Sequence, residues 1–341
     1  MRILMVDNMQ IRQYGNLKMG PGRKLVCAAI RDNHRLAEFS DRDVARFLAP
    51  LGIRSIGARL ANRKLIQTAL NFKPDILFIG HCDYIRNRSL EAIRAALPSI
   101  RMAHFNIDPI WMDWHIQQIR ERMPVTDAIF VTTGGEALKA FCTGKNVVAY
   151  MPNPSDPAME ICDNSQKQTF RHDLLFCGKE IAGDDRNAFL RLLERDLSGK
   201  LRFGIYGMFG YPPVWGARYE ETLAKSKMAL NLNRREEWPL YSSDRIAHLM
   251  GNGILTFLSD RGGMQRFFSE REAVFFHEHG DLCEKILYYQ EHDDERQAVA
   301  AAGRARYHQL FDSRRTLKFM IETLLNEPYS EDYEWADHVF R

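Results

Sequence analysis

No stretch of this 341-residue chain approaches the roughly 18 consecutive apolar residues that a membrane-spanning helix needs. The N-terminus, Met1 to Asp7, reads as a short strand and lacks the apolar core of a signal peptide. The protein is therefore expected in the cytoplasm, at most peripheral on the inner face of a membrane. There is no C-x-x-C pair. The six cysteines (Cys27, Cys82, Cys142, Cys162, Cys177 and Cys283) sit mostly in apolar runs, which argues against a disulfide framework or a zinc site. Repeats and low-complexity tracts are missing, and no RNA- or DNA-binding signature occurs, so nucleic acid is not an expected partner.

What is present is an ordinary globular balance, 45% hydrophobic and 27% charged, long enough for two domains. Net charge is only +3, but residues 1–155 hold 22 Lys and Arg against 13 Asp and Glu, whereas the remainder is acidic. The basic half is expected to meet an anion: a phosphate, a lipid head group or an acidic glycan. Scattered surface cations are the plainer reading.

Short apolar runs alternate with amphipathic stretches. Strands are expected at 3–6, 25–30, 75–79, 101–105, 128–132 and 147–150, with helices at 41–51, 59–72 and 89–96. Three prolines between residues 152 and 157 break the pattern. It restarts with strands at 174–178, 201–206, 228–232, 254–258 and 273–276. Helices are expected at 187–193, 217–225, 243–250, 282–290 and 314–325. Residues 327–341 are acidic and aromatic without clear period. Alternating strand and helix, with strands too apolar to face water, predicts an α/β protein of two doubly wound, Rossmann-like domains facing across a cleft. The expected division is 1–152, 153–313, and a final helix segment, 314–341, returning to the first domain. Open α/β sheets bind ligands at the carboxyl ends of their strands, so function is sought in the loops there.

In the second half, residues 242–257 read as a capped helix, a glycine turn and a buried strand, with Ser243 and Asp244 at the helix start and Arg245 on its first turn. A helix N-terminus attracts anions, and an arginine adds a bidentate phosphate donor. An ordinary helix–strand unit with surface Arg and His is the alternative. Gly178 and Lys179 follow an apolar strand, and Arg186 comes soon after. Residues 204–210 are glycine-rich without forming G-x-G-x-x-G; Tyr206 and Gly207 mark either a close approach to a ligand or a tight turn.

Residues 242–257 resemble the donor-site helix of CgeB-like (spore maturation protein) glycosyltransferases, a family of the GT-B fold. The family pattern is roughly R-x-x-E-x-x-x-x-G before a buried strand. Arg245 and Gly253 match it, and the acidic position falls on His248, where this chain departs from the family. There the Glu is expected to hold the donor ribose; a histidine can still hydrogen-bond one. Residues 174–179 with Arg186 resemble the opening of the family's donor domain, and 226–234, with Asn231 and Arg234, one of its strands. Phe268, 273–276 and 281–282 resemble the stretch that closes the nucleotide pocket. Ala301 to Arg304 and Arg314–Arg315 resemble the terminal helices. The resemblance covers roughly residues 150–325.

It implies transfer of a sugar from a nucleotide-sugar donor, bound by the second domain, to a glycan, lipid-linked or protein acceptor. GT-B enzymes are expected to stabilise the departing diphosphate with positive side chains and helix N-termini, with no metal and no cofactor. Lys179, Arg186 and the Gly262–Gly263 turn are the candidates. No D-x-D stands where a metal-dependent enzyme would need it, and Asp184–Asp185 reads as a solvated loop. In the first domain, His81 and Asp108 follow expected strands; Asp108 is the first choice for a general base and His81 the second. Trp111 to His115 offers aromatic faces for a sugar, a lipid or the core. Residues 18–24 read as a basic, flexible loop suited to an anionic acceptor. Two rival readings share the architecture: a nucleotide-sugar 2-epimerase and a non-catalytic sugar-nucleotide-binding subunit.

Overall fold

A computed structural model describes residues 1–11 and 20–341. In chain order the regular elements are β1 (Arg2–Asp7), α1 (Pro21–Arg31), β2 (Arg35–Ser40), α2 (Asp41–Phe47), α3 (Arg54–Phe72), β3 (Ile76–Ile79), α4 (Asn87–Ala96), β4 (Arg101–Asn106), α5 (Asp113–Arg122), β5 (Ala128–Val131) and β6 (Val147–Tyr150). There follow β7 (His172–Cys177), α6 (Asp185–Asp196), β8 (Phe203–Tyr206), α7 (Ala217–Ala224), β9 (Ser226–Asn231), α8 (Arg245–Gly251), β10 (Leu255–Ser259), β11 (Val274–Phe276), α9 (His279–Glu291), α10 (Asp293–Phe311), α11 (Ser313–Leu325) and β12 (Val339–Phe340).

They build two compact units. The first comprises Met1–Pro152 with Ser313–Arg341, the second Asn153–Asp312. The sheet of the first unit runs β12-β6-β5-β4-β3-β1-β2, parallel throughout except for β12, which pairs antiparallel with β6. Its central strands are buried on both faces, which is why they read as unbroken apolar runs. Leu4, Val6, Leu77, Ile79 and Met102 pack toward Leu65, Ala69, Leu90 and Ile93 of α3 and α4. Helices α1 and α11 pack together, and α11 lies against β4 and β5. The tail beyond α11 is ordered by aromatic packing: Trp335 is fully buried against Phe319, and the Arg315 guanidinium lies over the Tyr333 and Trp335 rings while pairing with Glu331 and Glu334.

The sheet of the second unit is wholly parallel, in the order β11-β10-β9-β7-β8. The chain crosses from one side of β7 to the other between β8 and β9. Such a reversal leaves a crevice at the carboxyl ends of the two strands it separates, here β7 and β9.

Three local expectations are corrected. Residues 25–30 belong to helix α1, entered through Pro21 at its first turn; the second strand is β2, whose exposed Arg35 and Glu38 hid it from an apolar search. Within residues 18–24, Lys18 and Met19 lie outside the described residues, while Lys24 is fully buried on α1 instead of standing in a loop. Asp184 is not solvated: it caps α6, accepting from the Arg186 N–H, with its carboxylate buried.

Candidate functional site

Three arginines, Arg186, Arg234 and Arg245, gather at the crevice of the second unit, with Asp184 and Glu236 beside them. Phe176, on β7, is fully buried, and its ring meets two guanidinium groups, Arg245 at 4.8 Å and Arg186 at 5.6 Å. Arg186, on the first turn of α6, donates to the Lys179 carbonyl at 2.8 Å and stands 3.6 Å from Asp184. Arg234, beyond β9, reaches the same Asp184 carboxylate at 3.6 Å and is half-exposed. Burial, then the neighbouring Arg245, lowers the Arg186 pKa to about 10. Glu236 accepts from the backbone and side chain of Asn233, and burial pushes it up to about 7. At neutral pH this acid is partly protonated, so the arginine charge around it is not fully offset. Lys179 is exposed, and its ammonium has no partner among the described residues. The cluster is poised for an anion.

Each expected donor residue has a definite place. Arg245 is buried and donates to the Asn231 side chain at 3.2 Å, the Cys177 carbonyl at 2.9 Å and the Leu232 carbonyl at 2.8 Å. It ties the ends of β7 and β9 together, which makes it the support of the crevice. Asn231 also donates to the Ser242 hydroxyl. The Ser243 hydroxyl accepts from the Arg245 N–H, and Asp244 stands at the N-cap position of the seven-residue α8 without a side-chain capping bond. His248 is buried with Nδ1 2.8 Å from Glu160, itself fully buried, and its ring stands edge-on to Tyr219. Glu160 thus places a carboxylate beside the position where the family pattern has its own. Gly253, at φ +66°, leaves room for Asp163: a Cβ there would lie 2.8 Å from that carboxylate.

Gly178 and Gly207 meet backbone to backbone; a Cβ on Gly207, at φ +78°, would stand 2.2 Å from the Gly178 carbonyl oxygen. The glycine-rich stretch is therefore a tight turn packed on the β7 loop. Tyr206 runs back along the sheet to His172, 3.0 Å from its Nε2. The Gly262–Gly263 turn follows β10, and Gly262 accepts from the Leu240 N–H. Glu160 escaped the sequence reading because it meets His248 only through a long-range contact, whereas Asn233 and Glu236 pair locally, three residues apart, in a stretch that carried no recognised motif.

The first unit carries a cavity of about 930 Å³ at the carboxyl ends of β3 and β4. His81, Asp83, Arg86, Arg88, His104, Asp108, Trp114 and Gln117 are among its walls. His81 and Asp108 come together: Nδ1 lies 3.1 Å from the Asp108 carboxylate and Nε2 3.4 Å from Asp83, which pairs with Arg42 at 2.6 Å. The two hydrogen bonds, to Asp108 first and Asp83 second, raise the His81 pKa to about 9, so the ring is an imidazolium at neutral pH. In that state it donates protons rather than accepting them. Trp114 donates to Nε2 of His115 at 3.0 Å, which leaves the His115 proton on Nδ1, 3.4 Å from Asp108. A third histidine, His104, was not foreseen. It is fully buried, its Nδ1 bonds the Ile79 carbonyl at 2.9 Å, and burial, with Arg122 nearby, lowers its pKa to about 3. Its Nε2 has no hydrogen-bond partner among the described residues. Asp7, at the end of β1, accepts from the His81 N–H at 2.9 Å, and Gly22 and Gly80 leave space for its carboxylate.

Among the described residues, no three His, Cys, Asp or Glu side chains gather as metal ligands, and no helix is long and apolar enough to cross a membrane.

Comparison with known proteins bears on both units. The chain is similar over 96% of its length to HepE of Anabaena, whose crystal structure in complex with UDP-glucose it matches over the whole of that chain at 14% identity and TM-score 0.58. It is likewise similar to sucrose-phosphate synthase of Thermosynechococcus elongatus (11% identity, 96% of this chain and 99% of that one, TM-score 0.59) and to the trehalose-6-phosphate synthase OtsA (12%, 95% and 99%, 0.59). The chain has the GT-B fold. A family model described as glycosyl transferase-like matches residues 186–322, from the first turn of α6 into α11. No curated protein matches the sequence.

Proposed function

We propose that this GT-B protein transfers a glycosyl group from a nucleotide-sugar donor to an acceptor hydroxyl, and that kinship with CgeB-like enzymes underlies the likeness of its second unit to glycosyl transferases. The observation that carries the reading is the arginine cluster at the β7/β9 crevice, within a unit matched by a glycosyl transferase-like model. The diphosphate of the donor binds there, against Arg186, Arg234 and Lys179, with Arg245 holding the strand ends that carry them. These cations take the charge that develops on the leaving nucleoside diphosphate, so no resident metal or cofactor is invoked. The solved structures of HepE with UDP and with UDP-glucose support a uridine nucleotide as the first donor to try.

The acceptor occupies the cavity of the first unit. Its hydroxyl oxygen forms the bond to the anomeric carbon as the bond from that carbon to the diphosphate oxygen breaks. The electron pair leaves with the nucleoside diphosphate, and the proton passes to Asp108. His81 and His115 hold the Asp108 carboxylate in place. Trp114, exposed at the cavity wall, offers a face for a sugar ring.

A thermal-shift panel of UDP, GDP, CMP and dTDP sugars tests the reading. The matching donor raises the melting temperature by mass action. Donor consumed only when an acceptor is added supports transfer. Donor altered on its own supports epimerisation, and a panel in which nothing binds overturns the proposal.

A further inference from the structure

The turn joining α2 to α3 displays large apolar side chains to solvent. Phe47 is 70% exposed, Leu51 96%, Ile56 55% and Leu60 40%. Leu51 holds a left-handed backbone conformation, φ +56°, which a leucine adopts at a cost, and its side chain recovers nothing by packing. Ile53, 45% exposed, stands at the start of α3, and Ile56 and Leu60, four apart, share one face of that helix. Isolated exposed apolar residues are ordinary; a contiguous patch on a turn marks a contact surface.

Charge identifies the contact. Residues 44–74 contain six cations (Arg46, Arg54, Arg59, Arg63, Lys64 and Lys73) and no Asp or Glu. Arg59, Arg63 and Lys64 are exposed, directly after the apolar face, and make no ion pair among the described residues. The two acids at the start of α2, Asp41 and Asp43, are buried. An apolar tip beneath a collar of unpaired cations has the chemistry of an interfacial anchor for anionic lipid. A second copy of the chain fits poorly, because a two-fold contact would oppose the same cations.

We propose that this turn docks on an anionic phospholipid surface, with Phe47 and Leu51 entering the acyl boundary and Arg59, Arg63 and Lys64 resting on head groups. The docking is independent of donor chemistry, so its failure leaves the assignment of the β7/β9 crevice standing. Flotation of the intact protein with phosphatidylcholine vesicles, with and without about 30% phosphatidylglycerol, is the test. The protein floats with the anionic vesicles and is released by high salt. Phe47→Ser/Leu51→Ser lowers the partition at least about tenfold, with an unchanged melting temperature. Arg59→Glu/Arg63→Glu, which leaves the apolar tip intact, also lowers it at least about tenfold. Equal partition onto both vesicle types, no partition, or wild-type partition by both variants overturns the proposal. So does light scattering that shows a dimer which Leu51→Ser converts to a monomer.

Discussion

Replacing Arg245 by alanine removes three hydrogen bonds at once, to Asn231, Cys177 and Leu232. Each acceptor is left without its partner at the ends of β7 and β9, and an unsatisfied buried acceptor costs about 1–3 kcal/mol. Part of this is offset because a buried guanidinium no longer has to be desolvated, the same burial that lowers its pKa. The stacking contact with Phe176 goes too. A net loss of about 3–5 kcal/mol follows. For a unit of this size that is a fall in melting temperature of roughly 6–20 °C. Arg245→Lys keeps the charge but cannot span three acceptors with one ammonium, and falls between alanine and wild type. Circular-dichroism melts of the three proteins measure this directly. An alanine variant that melts within a degree of wild type, yet no longer binds nucleotide, would refute the supporting role and make Arg245 a direct phosphate ligand.

Three further outcomes are expected. Gly207→Ala forces a Cβ to 2.2 Å from a backbone oxygen at φ +78°, and urea titration shows a loss of about 2–4 kcal/mol. Asp108→Asn keeps the shape and removes the proton acceptor: turnover falls about 10²–10⁴-fold with donor affinity unchanged, and a small rate loss beside a clear stability loss moves Asp108 to a structural role. The His81 pKa rises on folding from 6.5 to about 9, so its stabilisation is complete below pH 6.5 and disappears as pH rises through about 9. After solvent screening it is worth about 1–2 kcal/mol; melting temperature measured from pH 6 to 10 declines across this window in the wild type, and His81→Gln flattens the decline.

The strands were legible because a parallel sheet covered on both faces makes runs such as residues 76–79 and 128–131 uniformly apolar. That rule misread residues 25–30, where the same composition serves a buried helix, and it missed β2, an edge strand with charged positions. Helix α10 gave little signal in its pattern: it is rich in alanine and buries polar Arg296, which bonds the Asn164 and Lys167 carbonyls. His81 and Asp108 could be found because strand ends point to sites. Asp83, directly after the same strand as His81, and His115, in the aromatic run, were also in view; that they and Arg42 join His81 and Asp108 in one network was not, since it closes through tertiary contacts. Arg245 was visible as an arginine on a helix start; that its donors are committed to backbone carbonyls is a property of the packed crevice alone.

The central claim is that the diphosphate of a nucleotide sugar lies against Arg186 and Arg234. Isothermal titration of UDP-glucose, and then of GDP-, CMP- and dTDP-sugars, into wild type and Arg234→Ala tests it most directly. Arg234 is half-exposed and its removal leaves the strand ends tied, so folding survives. The account predicts one saturable site for the matching donor and affinity reduced about 10–100-fold in the variant, the loss of one charge-assisted hydrogen bond. Wild-type affinity in Arg234→Ala, measured alongside Arg186→Ala with the same result, would contradict it.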